Sequence, residues 1–182
     1  MSATASAQRT RDLVYCAVSA AIIAICAQIT IPATVPFTMH MFGIFTVLGL
    51  LGGRRGTIAI VVYLLMGAVG LPVFAGFSGG FGILLGTTGG YLVSYVLVGL
   101  LYWLITARFG TKTPVMVVAM VLGLAVCYAF GTAWFMLVYA RTSGAVGLVT
   151  ALGWCIFPFV IPDLVKIALS IGVTRVLKRH VK

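Results

Sequence analysis

Acidic side chains are almost missing from this chain. Only two of its 182 residues are acidic, Asp12 and Asp163, and there is no glutamate. The sequence also has only two histidines, and it contains no HExxH pattern and no Ser/His/Asp set. Catalysis by paired carboxylates, by a protein-bound metal or by an activated serine therefore finds no support. We expect no enzyme activity and no resident cofactor.

Motifs for cross-linking or nucleotide binding are lacking as well. The four cysteines have no CxxC spacing, and they lie within or beside apolar runs: Cys16, Cys26, Cys127 and Cys155. This placement predicts small buried side chains rather than disulfides or metal ligands. The glycine-rich residues 86–90 lack the GK[ST] ending of a phosphate-binding loop. Transport of a substrate against its concentration gradient would therefore need energy from another protein or another source.

Charge of either sign is scarce, and apolar residues fill its place. Charged residues make up 8% of the chain and hydrophobic ones 62%, with a mean hydropathy of +1.21. A soluble domain could not keep so much apolar surface from water. The long apolar runs predict an all-α integral membrane protein that crosses the cell membrane several times.

The few basic residues mark alternate loops. Basic pairs precede the first apolar run and follow the second and the fourth, and a basic cluster closes the chain: Arg9, Arg11, Arg54, Arg55, Arg108, Lys112, Arg175, Lys178, Arg179 and Lys182. The loops at residues 32–39 and 71–89 carry no charge. Because cytoplasmic loops are enriched in Lys and Arg, this alternation predicts both termini in the cytoplasm. The net charge of +10 thus indicates topology and contact with membrane lipid headgroups, and not nucleic-acid binding.

The apolar runs predict one six-helix membrane domain at residues 13–178, between cytoplasmic tails at residues 1–12 and 179–182. The expected spans are residues 13–31, 40–51, 57–69, 91–106, 115–139 and 163–178. Pro158 and Pro162 predict a break at residues 157–162, with a short external helix before it. The glycine-rich, uncharged residues 70–91 form an external loop, which is a candidate lid or re-entrant lining.

Small residues form a stripe along the first span. Ala17 and Ala21, and likewise Ala20 and Ala24, lie one helical turn apart, which lets another helix approach closely. The stripe fits packing inside the bundle and docking onto a separate membrane subunit equally well.

Asp163 and Lys166 lie inside the last apolar run. Asp163 follows a proline and would cap the sixth span, and Lys166 lies on the same helical face three residues later. The pair could be purely structural, a neutral unit that fixes the broken segment. However, ionisable groups at membrane depth are costly and usually line a ligand site or a water-filled cavity. We therefore expect a site for a small molecule that carries both hydrogen-bond donors and acceptors.

Several short motifs in their order along the chain resemble one known family. VPFT, LLGGRRG, GLPVFAG, TGGY and PFVIPDLVK resemble the BioY family, the biotin-specific S components of energy-coupling factor (ECF) transporters. The resemblance covers most of the chain. It implies the S-component fold, biotin bound near the external face, and an ATPase pair with a transmembrane coupling subunit as partners. It also implies that the alanine stripe is the docking face for that subunit.

The resemblance implies a set of biotin-binding residues: Asp163 and Lys166 from PFVIPDLVK, Gly89, Gly90 and Tyr91 from TGGY, Phe37 and Thr38 from VPFT, and Phe74, Ser78 and His40 from the neighbouring positions. Ser78 stands where many family members carry Asn, and His40 where Gln is common. A serine hydroxyl can still donate a hydrogen bond. His40 fits neutral packing better than a new dependence on pH.

Three readings stay open at this level. The chain could deliver biotin, or another small vitamin, through an ATP-driven coupling module. It could also be a carrier that works without an ATPase, because both would need the same pocket. In the third reading the chain is a membrane-embedded assembly subunit, and its Asp–Lys pair has only a structural role.

Overall fold

The computed structural model describes residues 3–31 and 35–180 of the chain, and helices dominate it. The elements, in order, are α1 Ala3–Gln28, β1 Thr30–Ile31, β2 Phe37–Thr38, α2 His40–Ala68, α3 Phe81–Leu85, α4 Gly89–Phe109, α5 Thr113–Thr142, α6 Leu148–Cys155 and α7 Phe157–His180. The two short strands pair antiparallel. A single 3₁₀ turn, Ala75–Phe77, lies between α2 and α3. The predicted all-α class is confirmed.

Helix α2 is a hairpin of two helices. Gly52 at its middle has φ 79° and ψ 173°, a conformation outside the helical region. His40 Nε2 lies 2.6 Å from Tyr63 Oη, although 23 residues of straight helix would separate them by about 35 Å. A Cβ on Gly56 would lie 3.1 Å from the Cα of Leu48. The chain therefore turns back at Gly52, and residues 40–51 and 53–68 run antiparallel.

This hairpin supplies the predicted second and third spans. The third begins four residues earlier than expected, because the turn needs only one residue, Gly52. Among the described residues, five helices are long and apolar enough to cross a bilayer, and α2 is one of them. Together with the two arms of α2, helices α1, α4, α5 and α7 provide the six predicted membrane segments.

Large apolar side chains cover much of the outer surface of the bundle. Leu104 on α4 and Leu137 on α5 are more than 60% exposed, and Ile25 on α1 is 66% exposed. Such a surface suits contact with hydrocarbon and not with water. The protein is therefore a multi-pass membrane protein.

Most of the described basic residues gather at one end of the bundle, whereas Arg141, in the last turn of α5, and Lys166 of α7 lie towards the other. Arg55, next to the α2 turn, forms an ion pair with Asp12 of α1 at 3.0 Å. A shallow surface cleft brings Arg54 beside Trp103 near the end of α4, and Gly49 packs against Thr174 near the end of α7. The segment between α2 and α4 lies at the opposite end. The orientation of these two ends in the membrane stays a prediction.

The ends of the first predicted span differ from the structure. Helix α1 begins at Ala3, ten residues before the expected start, because no glycine or proline interrupts residues 3–28. It ends at Gln28, since Thr30–Ile31 forms a strand with Phe37–Thr38. Pro32, which directly follows the predicted span, lies outside the described residues.

The predicted break at residues 157–162 is wrong. The chain leaves the helical conformation only around Ile156 (φ −125°, ψ −58°), and α7 continues through Pro162 to His180. Pro158 lies in the first turn of α7, where a missing N–H costs nothing. Asp163 therefore lies in the second turn of the helix and is not its N-cap.

The alanine stripe is divided between two surroundings. Ala20 is fully buried in the core of the protein, and Ala24 packs against that core. Ala17 and Ala21 are exposed. Ala20 therefore belongs to internal packing and cannot contact a partner subunit, whereas Ala17 and Ala21 stay available.

Candidate substrate-binding site

A cavity of ≈ 210 Å³ lies at the end of the bundle opposite Arg54 and Arg55. It is bounded by β2, the start of α2, the segment between α2 and α4, and helices α4, α5 and α7. Seven of the residues expected to bind substrate line it: Thr38, His40, Phe74, Ser78, Tyr91, Asp163 and Lys166. The structure thus brings together side chains that are up to 128 positions apart in sequence.

The ion pair expected at one wall of the cavity is present. Lys166 Nζ donates to Asp163 Oδ1 at 2.7 Å, and the two side chains are 4% and 6% exposed. The same ammonium donates to the carbonyl oxygen of Thr38 at 2.7 Å. It also lies 3.9 Å from the ring centroid of Phe37, a cation–π contact that strengthens in a desolvated site. Strand β2 therefore fixes the lysine from two sides.

Tyr128 of α5 is a second hydrogen-bond partner of Asp163. Its hydroxyl donates to the second carboxylate oxygen of Asp163, Oδ2, at 2.6 Å. Each oxygen of the carboxylate thus holds one donor, and each retains a lone pair that a ligand N–H could use. The sequence motifs did not single out this tyrosine.

We expect Tyr128→Phe to weaken binding of biotin, the ligand that the family resemblance implies, by about tenfold, because a hydrogen bond to a charged group contributes about 1.5–3 kcal/mol. Calorimetric titration of the purified protein in detergent would measure it. Tyr102→Phe is the matched control, since Tyr102 is buried on α4 outside the cavity lining. Equal affinities for both variants would show that Tyr128 does not orient Asp163 for the ligand.

His40 forms part of a hydrogen-bond chain that borders the cavity. Its Nδ1 lies 3.0 Å from Thr38 Oγ1 and its Nε2 2.6 Å from Tyr63 Oη. The Tyr63 hydroxyl donates to the carbonyl oxygen of Val73 at 3.2 Å. A neutral imidazole with its proton on Nε2 satisfies every group in this order, since Nδ1 then accepts from Thr38. His40 therefore connects strand β2 to the segment after α2.

Phe74 and Ser78 come from that segment. Phe74 is 1% exposed, and its ring lies on Gly67, where a Cβ would approach the ring to 2.0 Å. Ser78 Oγ donates to the carbonyl oxygen of Ala75 at 2.8 Å, and none of the described residues donates a hydrogen bond to this oxygen. Ser78 can thus accept a hydrogen bond from a ligand, in place of the donor that the sequence led us to expect.

Three expected residues do not line the cavity. Phe37 lies behind the ion pair, as described above. Gly89 and Gly90 permit close packing instead: a Cβ on Gly89 would lie 1.9 Å from the carbonyl oxygen of Leu84, and one on Gly90 would lie 2.2 Å from the Cβ of Trp134. These glycines position the start of α4, and with it Tyr91, which does line the cavity.

Part of the cavity wall comes from residues that the sequence motifs did not predict to bind a ligand. Further residues that line the cavity include aromatic, hydroxyl and thiol side chains: Tyr95, Thr88, Phe159, Cys127 and Cys155. Ser94 Oγ donates to Cys127 Sγ at 3.1 Å. Two of these positions had a signal in the sequence: Thr88 is the first residue of TGGY, and Tyr95 lies one helical turn after Tyr91.

The protein is a helical membrane bundle with a mostly apolar cavity near one end and a buried ion pair in the cavity wall. This arrangement is typical of a membrane protein that binds a small molecule. The comparisons with known proteins specify the family. The chain belongs to the BioY family, whose model matches residues 1–182.

Two curated relatives cover most of the chain. The biotin transporter BioY of Thermotoga maritima is 35% identical over 163 residues, which are 89% of this chain and 82% of that protein. The probable biotin transporter BioY of Pyrococcus horikoshii is 32% identical, over 90% of this chain and 93% of that protein. Among solved structures, the crystal structure of the S-component for biotin from an ECF-type ABC transporter matches with a TM-score of 0.82 and 27% identity. It covers 98% of this chain and 95% of the other.

Proposed function

We propose that this protein is a biotin-binding S component, which captures biotin at the external face of the cell membrane for uptake. The observation that carries the proposal is the buried Asp163–Lys166 pair on the wall of an otherwise weakly polar cavity, in a chain of the BioY family. An energetically costly pair at this position is accounted for when a ligand uses it.

The geometry of the pair suits the ureido ring of biotin. A ureido group presents N–H donors beside a carbonyl acceptor. Asp163 offers free lone pairs beside the ammonium of Lys166, which has a third N–H besides the two that are already used. Phe74, Phe159 and Leu92 of the cavity wall can cover the apolar remainder of the ligand. A second carboxylate at the pair would be repelled by Asp163, so the valerate end of biotin points away from it.

The charge distribution supports an orientation for the proposed transporter. The end of the bundle with Arg54, Arg55 and Arg108 faces the cytoplasm, because cytoplasmic segments are enriched in basic residues. The cavity then opens on the external side. Both termini lie in the cytoplasm, where Asp12 pairs with Arg55.

The partners in this proposal are a transmembrane coupling subunit and an ATPase pair. The chain has no nucleotide-binding motif of its own, and the small, exposed side chains of Ala17 and Ala21 on α1 would let a partner helix approach closely. The competing proposal is a carrier that works without an ATPase. Uptake of labelled biotin by cells that lack every coupling subunit would favour the carrier, and uptake that requires those subunits would exclude it.

A ligand titration tests the proposed substrate. We expect purified protein to bind biotin tightly and dethiobiotin more weakly, since dethiobiotin keeps the ureido group but has lost the ring sulfur and the rigid bicycle. Thiamine and riboflavin, which lack a ureido group attached to a saturated ring, should not compete. Tight binding of another vitamin in place of biotin would assign the cavity to that vitamin, and no binding at all would favour a structural role for the pair.

A further inference from the structure

One amide side chain from α1 holds the segment that carries Phe74 and Ser78. Gln28 is the last residue of α1. Its Nε2 donates to the carbonyl oxygens of Val73 and Phe74, at 3.3 and 3.1 Å. Its Oε1 accepts from the backbone N–H of Phe77 at 2.8 Å. Gln28 therefore binds the same short turn through its donor and its acceptor at once.

This turn has little regular structure of its own. Residues 73–78, named the wall turn here, contain the bridge between Phe74 and Ser78 and one 3₁₀ turn. Gly76 and Phe77 have positive φ angles, 68° and 54°, a region that disfavours a residue such as phenylalanine. The Phe77 side chain is 72% exposed and so cannot fix the turn by packing. Phe74 packs on Gly67 and donates its N–H to the carbonyl oxygen of Ser78 at 2.9 Å, which fixes the two ends of the turn. The part around Phe77 has no such packing, so its conformation depends on hydrogen bonds from outside the turn.

Only part of that support comes from the His40 chain. Tyr63 Oη donates to the Val73 carbonyl, which accepts from Gln28 as well. The Phe74 carbonyl and the Phe77 N–H, in contrast, form their hydrogen bonds with Gln28 and with no other described residue. Gln28 thus holds the part of the turn that lies beyond the reach of Tyr63.

We propose that Gln28 is a positioning residue for the ligand, which acts by holding the wall turn closed against the cavity. Phe74, Ala75 and Ser78 line the cavity from this turn, and they lose their place when the amide contacts are lost. The inference rests on the proposed function for the identity of the ligand, biotin. Its expected consequence is kinetic: Gln28 slows the departure of the ligand and has little effect on its entry.

Three variants separate hydrogen bonding from packing. Gln28→Met keeps the length and volume of the side chain but can neither donate nor accept strongly. Gln28→Glu keeps the acceptor for Phe77 and places a negative charge against two carbonyl oxygens. Gln8→Ala is the control, since Gln8 is the other glutamine of the chain and is exposed on the same helix.

The first measurement is the rate of biotin dissociation by stopped-flow or surface plasmon resonance. We expect Gln28→Met and Gln28→Glu each to increase the dissociation rate by about tenfold, as the loss of two or three hydrogen bonds allows, with the association rate unchanged within about twofold. Gln8→Ala should match the unaltered protein. A Met variant with an unchanged dissociation rate would overturn the proposal.

The second measurement needs no ligand. In hydrogen–deuterium exchange on the full-length protein, Gln28→Met should raise the exchange of peptides covering the wall turn and leave those of α4 and α5 unchanged. Faster exchange throughout the protein would show a general loss of stability and contradict a positioning role. If the unaltered protein does not bind biotin, the proposed function fails, and this measurement still decides whether Gln28 holds the turn.

Discussion

Asp163→Asn is expected to reduce the affinity for biotin by about 100-fold or more. The substitution keeps the shape of the side chain but removes the charge that Lys166 and Tyr128 contact. Truncating one partner of a buried, hydrogen-bonded charge pair costs about 2–5 kcal/mol, part of it from the charge left unpaired. Calorimetric titration would measure the loss, and Lys166→Ala should show one of similar size.

A double variant that removes both charges of the pair separates the effect on ligand binding from the effect on folding. Asp163→Asn combined with Lys166→Met removes both charges, so no buried ion is left without a partner. We expect the double variant to recover the thermal stability lost in the single variants and still to bind biotin poorly. The control is Asp12→Asn, which neutralises the other carboxylate of the chain at an exposed ion pair. A neutral pair that binds biotin normally would make Asp163 and Lys166 a purely structural unit.

Gly90→Ala is expected to destabilise the fold by about 3 kcal/mol, the upper part of the range for overpacking. The added methyl group would lie 2.2 Å from the Cβ and 2.4 Å from the Cγ of Trp134, atoms too near the backbone to move away. The displaced indole would also lose its hydrogen bond to the carbonyl oxygen of Gly86, now 2.9 Å long. Because Tyr91 follows directly, we expect weaker biotin binding as well.

A thermal unfolding curve in detergent checks this expectation. Gly82→Ala is the matched control, since a Cβ at Gly82 would meet nothing within 4 Å. On a short helix it should be neutral or slightly stabilising, given the higher helix propensity of alanine. Equal unfolding temperatures for the two variants would mean that α4 and α5 can separate at Gly90 without cost.

Membrane segments were predictable because composition alone decides them. The two arms of α2 could be separated from the sequence, since Arg54 and Arg55 interrupt the apolar run at its middle. The break near Pro162 was predicted wrongly, because a proline excludes the helical conformation only statistically. The first turn of α7 has no intrahelical acceptors for its N–H groups, so Pro158 fits there, and the helix continues past Pro162 to the basic end.

The candidate site was predictable in part for a related reason. Asp163 and Lys166 stood out because a charged pair in an apolar run has few structural uses. Tyr128 and Gln28 did not, since a tyrosine or a glutamine in a helix is compatible with simple packing. Their partners lie 35 and 45 to 49 positions away in sequence, and only the folded chain brings them together. Whether the Asp163–Lys166 pair binds biotin stays a prediction.

The turn at Gly52 has a consequence for topology. A chain with five membrane crossings would leave its two ends in different compartments, whereas the reversal inside α2 makes the number even. Any tag fused to the first residue and any tag fused to the last would then share one compartment. A single glycine that folds a helix back on itself thereby decides whether both ends of the protein can meet the same partner.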